Sequence, residues 1–75
     1  MKIPGKRLKR TKLVQAGRYV VALDVEMVFP ADDPSEPCLE AETVRLLKDV
    51  EEHAKRGDLP WLLQHGKVYE QVHAA

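Results

Sequence analysis

The sequence predicts an α+β fold: an antiparallel β-hairpin, with a short late segment as its third strand, packed against one long and one short helix. Three observations predict it. Residues 19–29 alternate with period two, a glycine-containing connection joins them to an earlier alternating run, and residues 39–56 carry an apolar stripe at helical spacing. Length places the whole, residues 1–75, in one domain with a flexible basic N-terminal arm, residues 1–7. A chain this short has only a marginal core, so self-association or a bound partner is expected.

The arm holds Pro4 and Gly5 among basic residues and has no apolar period, so it reads as mobile. Residues 8–15 form the first strand, in which neither face is cleanly apolar. That pattern suits an edge strand protected by lysines. Ala16-Gly17-Arg18 makes the tight connection. In the second strand Tyr19, Val21, Leu23, Val25, Met27 and Phe29 share one face. Val20, Ala22, Asp24, Glu26 and Val28 share the other, which begins apolar and turns acidic.

Three prolines within residues 29–38 end the strand and delay the helix, giving a connecting loop. The helix at 39–56 presents Val44, Leu47, Val50 and Ala54 along one stripe. Glu40 and Glu42 near its start and Lys55 and Arg56 near its end complement the helix dipole. Gly57 stops it. Asp58 caps a short second helix with Pro60 in its first turn, and Gly66 ends that helix. Residues 67–73 read as a short third strand, with a terminal helix as the competing reading. The expected core is Val21, Leu23, Val25, Met27, Val44, Leu47 and Val50.

Charge is sorted along the chain although the formal net charge is zero. Before residue 19 there are seven basic residues and no acidic ones; residues 24–42 are acidic without a single Lys or Arg. Lys2, Lys6, Arg7, Lys9, Arg10 and Lys12 therefore form a candidate arm for nucleic acid, although no aromatic residue precedes Tyr19 to stack on a base. The bland alternative is a solvated tail and a lysine-protected edge. Val20, Ala22, Val28 and Trp61 form a candidate protein interface. Trp61 fits equally as core or as a lid over the sheet.

No catalytic or metal-binding constellation emerges. His53, His65 and His73 match no compact zinc spacing, and Cys38 is the only thiol. Acidic neighbours would raise a thiol pKa rather than activate it. Asp32 and Asp33 lack the calcium-loop pattern, and Ser35 lacks a nucleophile motif. The expectations are no enzymatic activity, no cofactor and no small-molecule substrate. A single cysteine, and the lack of any apolar run of signal-peptide or membrane-spanning length, fit a cytoplasmic protein with no membrane partner.

Gly17-Arg18-Tyr19 leading into the long strand, the residue 46–56 helix closing in Arg56-Gly57-Asp58-Leu59, and Lys67-Val68-Tyr69 together resemble small bacterial hairpin-plus-helix proteins. That resemblance spans most of residues 11–70. It implies no activity, and it implies an antitoxin-like partner role. The chain departs from the pattern at Cys38-Leu39-Glu40, where an aromatic residue and a serine N-cap are expected. The leading expectation is thus a non-enzymatic interaction or regulatory module, a homodimer or one partner of another protein. Nucleic-acid binding through the basic arm is the alternative.

Overall fold

The computed structural model describes residues 3–72 and places them in the order β1 (Gly5–Ala16), β2 (Tyr19–Pro30), α1 (Ala41–Lys55), α2 (Leu59–Leu63) and β3 (Lys67–Glu70). The strands form one antiparallel sheet in the order β1-β2-β3. The α+β architecture is the expected one, and residues 67–70 are a strand rather than a helix. His73 lies outside the described residues.

The hairpin register runs without interruption from Gly5 opposite Pro30 to Ala16 opposite Tyr19. Only Gly17 and Arg18 remain for the turn. Gly17 takes φ 59° and Arg18 does not take a positive φ, the pattern of the type II′ turn that matches the right-handed twist of paired strands. Arg18 also anchors β3: its carbonyl accepts from the Gln71 N–H at 2.7 Å and its guanidinium meets Glu70 at 3.2 Å.

The mobile-arm reading is corrected for residues 5–7. Strand β1 begins at Gly5, three residues before the expected start, and the Ala31 N–H donates to the Pro4 carbonyl at 3.0 Å. Backbone pairing is indifferent to side-chain polarity. Lys6 and Arg7 join the ladder because Phe29 and Val28 stand opposite them, whatever their own apolar period. Lys2 lies outside the described residues.

Beyond Pro30, which has no N–H to donate, the loop returns to β2 at one point. Val28 and Cys38 exchange both backbone hydrogen bonds at 2.8 Å. Helix α1 begins two residues later than expected, with Glu40 in extended conformation as its N-cap and the Val44 N–H donating to the Glu40 carbonyl. Its far end closes in a Schellman arrangement: the Gly57 N–H bonds the Ala54 carbonyl at 3.1 Å and the Asp58 N–H bonds the His53 carbonyl at 2.9 Å.

One core lies between the sheet and the helices. It joins Ala16 of β1, Val21, Leu23 and Val25 of β2, Val50 and Ala54 of α1, and Leu62 of α2. Leu39, Leu46, Leu47 and Trp61 pack around it. Two expected core members fall outside. Met27 is half-buried beyond the cluster, and Val44 is 52 % exposed. At about 100° per residue, the stripe through Leu46, Leu47, Val50 and Ala54 is centred about 100° from Val44. Spacing along one diagonal brings Val44 into the expected stripe; the packed face leaves it at the solvent side.

Candidate interaction surfaces

Antiparallel pairing puts directly opposed residues on the same side of a sheet. On the helix-covered side the hairpin rows are Ala16–Tyr19, Val14–Val21, Lys12–Leu23, Arg10–Val25, Leu8–Met27 and Lys6–Phe29. On the other side they are Gln15–Val20–Tyr69, Leu13–Ala22–Lys67, Thr11–Asp24, Lys9–Glu26 and Arg7–Val28. The described basic residues of the candidate arm are thereby divided between two faces. Lys6, Arg10 and Lys12 point one way, Arg7 and Lys9 the other.

Arg7 is committed to internal contacts. Its guanidinium donates to both oxygens of Glu40 at 2.5 and 2.8 Å, to Glu26 at 3.2 Å and to the Ile3 carbonyl at 3.1 Å. Glu40 also accepts from the Ile3 N–H at 2.8 Å. The hydrogen bonds that Arg7 donates to Glu40 hold its pKa above the usual guanidinium value. They also explain the N-cap: the Glu40 carboxylate turns to Arg7 and Ile3 and makes no capping bond with its own helix. Lys6, Lys9 and Arg10 are exposed and Lys12 is half-buried.

The four candidate interface residues do not form one surface. Val20 and Ala22 share the side of the sheet opposite the core and are half-buried. Val28 is on the same side but has 0 % exposure, so its assignment to an interface is corrected. Its row includes Arg7 and Cys38, and the Arg7–Glu40 pair closes over that end of the sheet. Trp61 lies in the other layer, against the core. Leu13 and Tyr69, absent from the candidates, complete the open patch: they flank Val20 and Ala22 and are 68 % and 55 % exposed. For Leu13 the two-residue turn carried this signal, since it fixes which hairpin residues stand opposite; Tyr69 is placed by the separate pairing of β2 with β3.

Trp61 is sandwiched between two imidazoles. The His53 ring lies 3.8 Å from it at 4°, and the His65 ring 3.9 Å away at 21°. His53 Nδ1 donates to Asp58 Oδ2 at 2.9 Å, and Arg56 Nη2 approaches the remaining ring nitrogen at 3.2 Å. This hydrogen bond from His53, reinforced by the charge of Arg56, lowers the Asp58 pKa. His65 Nδ1 donates to the Trp61 carbonyl at 2.9 Å. A Schellman turn ordinarily carries an apolar contact between its third-last helical residue and the residue after the glycine. Here His53 and Asp58 hold those positions and make a polar one.

Among the described residues no three His, Cys, Asp or Glu side chains converge as a metal site, and no helix is long and apolar enough to cross a membrane. Ser35 donates to Asp33 at 2.6 Å within the exposed loop. Cys38 is half-buried beside Val28. Comparison with protein-family models, curated proteins and solved structures gave no match.

Proposed function

We propose that the protein is a non-enzymatic interaction module that self-associates through the uncovered side of its sheet. The observation that supports this reading is the patch of Leu13, Val20, Ala22 and Tyr69, whose two largest members are more than half exposed. Both helices pack on the opposite side, so no described element covers it. Apposition of two such faces buries apolar area at about 25 cal/mol per Å². The rows beside the patch alternate in sign, with Lys67 next to Ala22, Asp24 next to Thr11, and Lys9 opposite Glu26. A twofold arrangement sets such a surface against its own copy with charges of both signs available to pair. This role agrees with the partner function that the resemblance to antitoxin-like proteins implies.

Sedimentation over a wide concentration range tests it. The expected outcome is a concentration-dependent mass that L13K reduces to that of the monomer; a wild-type chain that stays monomeric at high concentration rules the reading out.

Nucleic-acid binding through β1 is the second reading, favoured by one pairing. Lys6 stands opposite Phe29, which is half-buried, so the register supplies next to the cations the aromatic ring that the first 18 residues lack.

A further inference from the structure

Strand β2 has one edge fully paired and one edge interrupted. Its β1 side is bonded along the whole hairpin, whereas the opposite side meets β3 only at residues 19–22 and Cys38 only at Val28. In an antiparallel ladder the N–H and C=O of a residue point to the same edge, and successive residues alternate. Val28 directs both groups to Cys38. By the same alternation Asp24 and Glu26 direct theirs to this edge, where no described residue pairs with them.

The chain turns away from the gap at both ends. Past Cys38 it departs into α1, and it returns from α2 only at Gly66, just before β3. Gly66 sits so close that a Cβ there would lie 2.4 Å from the Ala22 carbonyl oxygen, which fixes a glycine at the rim. Six residue steps separate Ala22 from Val28, about 20 Å of strand. A cleft of about 650 Å³, lined in part by Leu23, Asp24, Gln64, His65 and Lys67, opens at the Gly66 end.

We propose that this edge accepts a short extended peptide, with Lys or Arg at alternate positions, as an added antiparallel strand. Asp24 and Glu26 offer it two N–H donors and two carbonyl acceptors. Residues opposite them in such a ladder place their side chains on the same face as the two exposed carboxylates, which selects for basic residues. The present partners of those carboxylates, Thr11 Oγ1 at 2.9 Å and Arg7 at 3.2 Å, approach from the β1 side and leave the outer edge clear. Residues 24–42 contribute no Lys or Arg of their own to this edge, and the nearby cations are Lys67 at the Gly66 end and Arg7 and Lys9 on the β1 side. The backbone groups of this edge are distinct from the apolar patch assigned to self-association, which the Asp24 and Glu26 carboxylates border on the same side of the sheet.

The test is amide NMR of the full ¹⁵N-labelled chain titrated with an end-blocked tripeptide, Lys-Val-Lys, whose residues stand opposite Glu26, Val25 and Asp24 and fit between Cys38 and Gly66. Before addition, the Asp24 and Glu26 amides should exchange rapidly while those of Leu23 and Val25, bonded to β1, exchange slowly. The peptide should shift and protect Asp24 and Glu26, and N-methylation of its two lysines should weaken binding about tenfold by removing two hydrogen bonds. Lys-to-Glu replacement in the peptide should abolish the shifts, and the L13K chain should retain them. The proposal is overturned if those amides are already protected in the unliganded chain, if millimolar peptide shifts neither, or if the N-methylated peptide binds equally well. Loss of binding in L13K would move the site to the open face and overturn it too.

Discussion

Arg7 near the start of β1 and Glu40 at the N-cap of α1 are 33 residues apart and share two hydrogen bonds, of 2.5 and 2.8 Å. The pair joins the far end of the hairpin to the beginning of the long helix and closes over Val28. R7Q and E40Q should each lower the urea midpoint. The R7Q/E40Q double variant should lose less than the sum of the two, because either change removes the same bidentate interaction. Strict additivity in this cycle would show that the two side chains stabilise the fold independently.

Packing separates Leu62 from Val44. Leu62 has 0 % exposure inside the core, whereas Val44 is 52 % exposed on α1. L62A should cost about 2–5 kcal/mol and V44A should stay within about 0.5 kcal/mol of wild type. Trp61, the only tryptophan, reports both unfolding curves by fluorescence. Equal costs would place Val44 in the core after all.

These same residues show what the sequence could disclose. Period-two alternation from Tyr19 identifies the buried side of β2 as far as Val25, because every second residue there faces the helices. It fails at Val28, which is covered by a non-local rung to Cys38 and by the Arg7–Glu40 pair, neither of which leaves a periodic trace. Residues 5–7 read as loose for a related reason: their place in the sheet is dictated by Val28, Phe29 and Pro30 across the ladder. The open patch is half legible. Val20 and Ala22 follow from alternation within one strand, but Leu13 and Tyr69 reach the same face only through the register of two neighbouring strands.

Asp58 gives the fold a pH dependence of defined sign. Its folded pKa lies below the ordinary aspartate value because His53 donates to its carboxylate. A group depressed in this way contributes stability that is present above the unfolded pKa, about 3.9, and is lost as pH falls through the folded value. D58N removes the contribution. The stability gap between wild type and D58N should therefore be widest near neutral pH and shrink in the acid range below about pH 4. A gap that stays constant down to the lowest pH at which the protein folds would exclude the Asp58 charge as its source.

The second functional reading makes a prediction that Arg7 and Lys9 divide between them. Both lie on the same side of β1, yet Arg7 spends its guanidinium on Glu40, Glu26 and Ile3, while Lys9 is exposed and makes no side-chain ion pair among the described residues. A strand that neutralises phosphates releases counterions, and the logarithm of its affinity falls with the logarithm of salt by about 0.9 per phosphate neutralised. Replacement of Lys9, Arg10 or Lys12 by Ala should weaken binding to a single-stranded oligonucleotide and reduce that slope by about 1 for each phosphate left without its cation. R7Q should leave the slope unchanged, since its cation is already matched by carboxylates. If R7Q flattens the slope as much as K9A, the Arg7–Glu40 pair opens on binding; if none of the variants alters it, β1 has no part in contacting phosphate.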